Sequence, residues 1–161
     1  MKRMIAIVTA ALLTCSCSQP GAPPPGFGAE DLFLRIGGNA YVLNAEIESI
    51  LDDFGDGYEY AEARSCDYDG LDKSFIYDIA EFYTFPINNG DIVSEIYTAA
   101  PDAATSRGIR VGSSKADVLT AYGDDAGDTG YQLIYTTDGG SLCFDMDGDT
   151  VTAFYITRRE N

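Results

Sequence analysis

The chain repeats part of its own sequence, and this repeat restricts the possible folds more than any single motif does. The dipeptide Ile-Tyr at 76–77 recurs at 134–135, and residues 90–97 (GDIVSEIY) recur as residues 148–155 (GDTVTAFY). Both recurrences lie 58 positions further along the chain. Upstream of each copy lies a short helical pattern that ends in an aromatic residue and a glycine. Matches in the same order predict a duplicated structural unit.

Each copy begins with a predicted helix of about ten residues, a length that is unstable in water without a partner surface. Asn44 can cap the first helix, which ends at Gly55. Ser114 and Asp117 form a variant capping box for the second helix, which ends at Gly123. The apolar positions of the two helices are Ile47, Ile50, Leu51 and Phe54, then Val118, Leu119 and Tyr122.

Alternating apolar residues after each helix predict half-buried strands, at 75–79 in the first copy and at 142–146 in the second. Asn89-Gly90 and Asp147-Gly148 are predicted two-residue hairpin turns. A further hairpin is expected around 37–39, before the first helix.

The predicted fold is therefore α+β. It consists of two tandem helix-plus-antiparallel-meander modules, residues 31–104 and 105–161, which share one core or a continuous sheet. The first copy carries about ten extra residues, at 58–70, between helix and strands. This insert is either a contact region or an extra strand that widens the sheet.

The N-terminus has the layout of a bacterial export signal. Lys2 and Arg3 precede a short apolar run at 4–13, which is too short to span a bilayer as a helix. A cysteine after a small residue then resembles a lipobox, which predicts a signal peptide at 1–16 and acylation of Cys17. Cys15 remains an alternative site. Residues 17–30 are rich in Pro and Gly and are expected to form a tether.

A repeated helix-plus-meander unit behind a lipobox resembles the β-lactamase-inhibitory-protein-like architecture, and one copy is similar to the SmpA/OmlA outer-membrane assembly lipoproteins. The resemblance rests on Cys17, the VGSS approach to a helix at 111–114, the aromatic-Gly helix ends, and the Gly-Asp-x-Val-[Ser/Thr] pattern at 90–94 and 148–152. It implies protein binding through loops and a concave sheet face, and it assigns no target.

The charge of the chain excludes two classes of partner. The full sequence has a net charge of −16. Removal of Lys2 and Arg3 with the signal peptide leaves eight basic residues against 26 acidic ones. Such a field repels nucleic acid and anionic lipid head groups, and it favours cationic partners.

The composition also argues against catalysis. The chain contains no histidine, which removes the commonest general base and metal ligand. Ser114-Lys115 are adjacent and lack Ser-x-x-Lys spacing. The acidic pattern at 145–149 places its glycine wrongly for an EF-hand loop, and a turn explains both it and the similar pattern at 67–70. No catalytic, metal or cofactor residue is predicted.

Tyrosines and cysteines supply the remaining candidates. Tyr58, Tyr60 and Tyr68 lie in the insert of the first copy and are a candidate contact surface if exposed, with core packing as the alternative. Cys66 and Cys143 remain once the signal peptide is removed and Cys17 is acylated. They are predicted either to form a disulfide, which is the preferred interpretation, or to be inert thiols in a covered sheet.

These features predict a membrane-anchored, extracytoplasmic lipoprotein that binds a protein or envelope component without catalysis. Two alternatives remain open. One is a carboxylate-dependent cell-wall hydrolase, which needs a deep cleft with two close acids. The other is a purely structural envelope protein.

We expect Cys17 to be acylated in the exported protein, and the intact mass of the purified protein measures this directly. The expected mass is that of a chain that starts at Cys17 and carries acyl groups, and Cys17→Ser should remove the acyl mass. A mature N-terminus that is unmodified and lies at neither Cys15 nor Cys17 would contradict the prediction.

Overall fold

The structure is a computed structural model, and it describes residues 26–88 and 90–159. The signal peptide and Cys17 lie outside the described residues. Residues 26–30, which were assigned to the tether, belong to the folded domain. The Phe27 ring packs against Tyr122 and Tyr135, with centroid distances of 6.0 and 5.7 Å.

The described residues form eleven strands, two α-helices and a short 3-10 helix at Ala29–Asp31. The first half contains β1 (Phe33–Ile36), β2 (Asn39–Val42), α1 (Ile47–Phe54), β3 (Glu59–Arg64), β4 (Leu71–Ile76), β5 (Glu81–Ile87) and β6 (Gly90–Thr98). The second half contains β7 (Ala104–Thr105), α2 (Lys115–Tyr122), β8 (Gly127–Asp128), β9 (Gln132–Thr137), β10 (Gly140–Asp147) and β11 (Thr150–Thr157).

The predicted α+β class is wrong, because the described chain is predominantly β. Each helix has only eight residues, and the strands form two antiparallel sheets. Several segments for which the sequence analysis predicts no strand are strands in the structure. Residues 59–64 of the insert form β3, the edge strand of the larger sheet, so the insert widens the sheet. The described chain is therefore a β-rich fold and not a pair of helix-plus-meander modules.

The larger sheet has eight strands in the order β3-β4-β5-β6-β11-β10-β9-β8. Its centre is the antiparallel pair β6·β11, in which Tyr97 lies opposite Tyr155 and Ile96 opposite Ile156. Tyr97 and Tyr155 are separated by 58 positions, the offset of the sequence repeat, so the register is symmetric about this pair.

Other residues at this offset also occupy corresponding places. Ile76 lies on β4 and Ile134 on β9, each on the second strand after a helix. Tyr77 donates a hydrogen bond from its hydroxyl to the Gly55 carbonyl at 2.7 Å, at the end of α1. In the second half, the Tyr135 hydroxyl donates to the Gly123 carbonyl at 2.8 Å, at the end of α2. The duplication itself stays a prediction.

The helix boundaries confirm one predicted cap and contradict the other. The Ser114 hydroxyl accepts a hydrogen bond from the Asp117 amide, and the Asp117 carboxylate accepts one from the Ser114 amide at 2.9 Å. Asn44 does not cap α1, which begins after Glu46 without a side-chain cap. Asn44 has a positive φ of 62° instead, so it forms a turn before the helix. Both helices end at the predicted glycines.

The smaller sheet has the order β2-β1-β7. Its β1–β2 hairpin confirms the predicted one, since Ile36 pairs with Asn39 across Gly37 and Gly38, whose φ values of 59° and 91° suit a tight turn.

One face of the larger sheet forms the core. Both helices and the smaller sheet pack on this face, and their apolar residues join one buried cluster with those of the sheet. Fully buried members of the cluster include Leu34, Ile47, Phe82, Ile96, Val118, Tyr122, Phe154 and Ile156. Burial in this cluster removes large apolar side chains from contact with water, and this transfer favours folding.

A buried ion pair ties the N-terminal end of the domain to α2. The Arg107 guanidinium donates to both carboxylate oxygens of Asp31, at 2.9 and 2.6 Å, and to the Ala121 carbonyl at 2.8 Å. It also lies 4.9 Å from the centroid of the Tyr122 ring. Burial raises the pKa of Asp31, but hydrogen bonds from Arg107, from the Gly28 amide and from Ser106 outweigh it and lower the pKa overall.

We expect Asp31→Asn to destabilise the domain by about 3 kcal/mol, because it removes the carboxylate that accepts two charge-assisted hydrogen bonds from the largely buried Arg107 guanidinium. The native pKa of Asp31 lies below its unfolded value. Its contribution is therefore present above about pH 4 and is lost as the pH falls through the native pKa. Urea unfolding at neutral and acidic pH measures both effects.

The matched control is Asp138→Asn, which removes an exposed carboxylate 3.8 Å from Arg159. An exposed pair of this kind contributes little, so we expect a change below about 0.5 kcal/mol. Equal losses for the two variants would show that burial of the Asp31 pair is unimportant.

Candidate functional site

The second face of the larger sheet carries no helix in the part of the chain that the structure describes. We call it the open face. Its residues alternate with the core residues and are mostly half-buried. Strand register arranges them in two rows across the centre of the sheet: Glu81, Tyr97, Tyr155 and Cys143 in one, and Tyr83, Glu95, Thr157 and Ser141 in the other.

Three carboxylates lie near the centre of the open face. They are Glu81 on β5, Glu95 on β6 and Asp145 on β10. Burial raises the pKa of Glu95, and the charges of Glu81 and Asp145 raise it further, although Thr157 donates a hydrogen bond that opposes this. Within residues 26–88 and 90–159, none of the four ion pairs includes any of the three. These three carboxylates are therefore held close together without an ion-pair partner among the described residues.

One tyrosine and one amide side chain hold two of these carboxylates, Glu81 and Asp145, in place. The Tyr83 hydroxyl donates to Glu81 at 2.5 Å, and burial together with this bond raises the pKa of Tyr83 to about 12. The Gln132 amide nitrogen donates to Asp145 at 2.8 Å and to the Tyr155 hydroxyl at 3.3 Å. The side chains are thus positioned before any ligand arrives.

A cleft of about 760 Å³ continues the open face toward β3. The β3–β4 loop forms one wall, where the Tyr68 ring lies 4.9 Å from the Phe85 ring. Arg158, which follows β11, places its guanidinium carbon 4.0 Å from the Phe85 centroid and 5.8 Å from that of Tyr68. Asp72 also lines the cleft, and its Oδ1 atom is buried without a hydrogen-bond partner.

The three predicted contact tyrosines do not form one surface. Tyr58 is half-buried, and its ring packs 5.1 Å from Phe75, a core residue. Tyr60 packs on the same Phe75 ring at 5.4 Å and is 48% exposed. Tyr68 lies in the cleft, on the other face of the sheet. The two exposed tyrosines, Tyr60 and Tyr68, therefore lie on opposite faces of the sheet, and their role in contacts stays a prediction.

The residues that the sequence interpretation missed are those of the open face. Tyr97 and Tyr155 occupy equivalent positions of the sequence repeat, and they are half-buried on the open face, with ring centroids 6.3 Å apart. The signal was present in β6, where Glu95 and Tyr97 alternate with Ile96 and so share a face.

Both cysteines are free, Cys66 exposed and Cys143 buried, which contradicts the preferred disulfide. Cys66 lies between β3 and β4 at one end of the larger sheet, and Cys143 lies on β10. Four steps in strand order separate β4 from β10, about 19 Å at the usual strand spacing. Burial raises the pKa of the Cys143 thiol to about 11.

The acidic patterns are turns in the structure. Residues 148–149 join β10 to β11, with Asp147 paired to Thr150, and residues 67–70 lie in the connection between β3 and β4. No group of three or more metal-ligating side chains occurs in residues 26–88 and 90–159.

Comparison with known proteins assigns no family. No family model matches the sequence, and no curated protein matches it. The fold is similar to a 1.5 Å crystal structure of an extracellular protein containing an SCP domain from Bacillus anthracis, with 12% identity and a TM-score of 0.49. The likeness covers 72% of this chain and 44% of that one, so this chain spans less than half of that protein.

We expect iodoacetamide to alkylate Cys66 in the native protein and Cys143 only after unfolding. The reason is that Cys66 is exposed, whereas Cys143 is 3% exposed and its pKa is raised. Peptide mass mapping before and after denaturation without reductant distinguishes the two sites. Protection of both residues until a reductant is added would contradict free thiols.

Proposed function

We propose that this chain is an exported lipoprotein whose folded domain binds a partner protein through its open face and catalyses no reaction. An acyl group on Cys17 would hold it at the extracytoplasmic side of a membrane. Within the described residues, no helix is long and apolar enough to cross a membrane.

The observation that carries the proposal is the uncovered central sheet. An antiparallel sheet commonly packs one face on the core and presents polar side chains to water on the other. Here the open face holds Tyr83, Tyr97 and Tyr155, which are half-buried and positioned by the register of three strands, β5, β6 and β11. Tyrosine is enriched at protein interfaces because it combines a large apolar ring with a hydrogen-bonding hydroxyl.

The chemistry of the face also supports binding over catalysis. The chain has no histidine to act as a base near neutral pH. The three carboxylates lie on a broad sheet face, and they accept hydrogen bonds from tyrosine, glutamine and threonine side chains. Groups of this kind hold and orient a ligand.

Site-specific photocrosslinking in the living cell tests the proposal. A photoreactive residue at Thr136, which is exposed in the Thr157–Ser141–Thr136 row of the open face, should give a defined crosslinked protein. The matched control places the same residue at Asp52, which is exposed on α1 on the other face.

The expected result is a crosslinked partner from position 136 and none from position 52. Equal crosslinking from both positions, or none from either, would overturn the assignment of the open face. Hydrolysis of purified cell wall by the domain would overturn the statement that it is not an enzyme.

A further inference from the structure

We propose that the centre of the open face binds a basic segment of the partner protein, with a lysine or arginine side chain held between Tyr97, Tyr155 and the carboxylates of Glu81, Glu95 and Asp145. This inference rests on the proposed function, since it names the chemistry of the partner that the open face binds.

The first step is placement. Glu81, Tyr97 and Tyr155 are successive cross-strand partners on β5, β6 and β11, and Glu95 lies two residues before Tyr97 on the same face. Cross-strand partners place their Cβ atoms about 5 Å apart. Asp145 lies on β10, and after burial its charge is the largest cause of the raised pKa of Tyr97. The five side chains therefore form one contiguous cluster.

The second step is charge. Three carboxylates of one cluster repel each other, and the described chain supplies no lysine or arginine that forms an ion pair with them. A cation placed among them would relieve this repulsion. The net charge of −16 steers a basic partner toward the domain and repels an acidic one.

The third step is the aromatic pair. The rings of Tyr97 and Tyr155 lie with their centroids 6.3 Å apart and an interplanar angle of 35°. A guanidinium or ammonium group over such a ring gains a cation–π attraction, which strengthens when water is excluded. Arg158 already stacks on Phe85 in the adjoining cleft, so a cation–π contact fits on this face of the sheet.

The fourth step is the extent of the surface, which favours a protein segment over a small cation. The cluster spans four adjacent strands, about 14 Å, and continues into the cleft of about 760 Å³. Polar Thr136, Ser141 and Thr157 flank it on β9, β10 and β11. The tyrosines at the centre and the polar side chains around it are two features that protein interfaces commonly share.

Titration of the full-length lipoprotein, purified in detergent, tests this inference. The probe is a lysine- and arginine-rich peptide of about twelve residues, and a glutamate-rich peptide of equal length is its counterpart, at about 150 mM salt. NMR of the isotope-labelled protein reports the residues that the peptide contacts. We expect the basic peptide alone to bind and to shift the signals of Tyr97 and Tyr155.

Charge-matched variants separate a defined site from a general effect of net charge. Glu95→Gln with Asp145→Asn should weaken binding of the basic peptide about tenfold or more. The control, Glu48→Gln with Asp52→Asn, removes the same charge from exposed positions of α1 and should change affinity less than about twofold. Equal losses in both double variants would overturn the inference.

Tyr97→Phe and Tyr97→Leu test the aromatic contribution, with thermal unfolding as the check on folding. Phe keeps the ring face and should retain binding, whereas Leu should lose it severalfold. Equal affinity of the two variants for the basic peptide would show that the Tyr97 ring takes no part in binding. Absence of binding by the basic peptide, or signal shifts confined to the helix-covered face, would overturn the inference as a whole.

The two proposals fail separately. If position 136 crosslinks a partner and the Glu95→Gln, Asp145→Asn variant crosslinks it equally well, the open face is an interface but does not select a basic segment. If the basic peptide binds there as expected and no partner crosslinks in the cell, the proposed function fails while the cation-binding chemistry stands.

Discussion

The pairing of β6 with β11 is the constraint on which the rest of the fold depends. It joins strands from the two halves of the chain into one eight-stranded sheet, with Tyr97 opposite Tyr155 at its centre. Helices of eight residues are not stable alone, and a four-stranded sheet offers only one narrow face. Joined through Ile96 and Ile156, the halves give α1, α2 and the smaller sheet one wide apolar surface to cover.

The same strands that build the core also build the open face, because neighbouring residues of a strand point to opposite sides. Ile96 lies in the core, while Glu95 and Tyr97 lie on the open face. Holding a half-buried carboxylate beside two others costs stability, as the raised pKa of Glu95 indicates. Proteins accept such costs where a surface has a function, since binding sites need polar groups that are fixed before the ligand arrives.

Local features of this fold were predictable from sequence, whereas long-range ones were not. The capping box of Ser114 and the glycine hairpin at 37–38 depend on neighbouring residues and were confirmed. The fold class was wrong because several short strands carry no clear hydrophobic period, and β3 is exposed at all six positions. The Cys66–Cys143 pairing was wrong because its distance depends on the strand order across the whole sheet. The open face was missed for the same reason, since its rows exist only in the assembled register.

The entry point of the chain matters for how the open face could meet a partner. Phe27 packs on the helix-covered side, against Tyr122 of α2 and Tyr135, and the Asp31–Arg107 pair fixes the chain there. A tether that joins the domain at this point leaves the open face clear of the residues that attach it. Loss of the ion pair would loosen the attachment without touching the sheet centre. If Cys17 is acylated and the open face binds a partner, as proposed, anchoring and binding use opposite sides of one sheet, and a bound partner does not need to displace the tether.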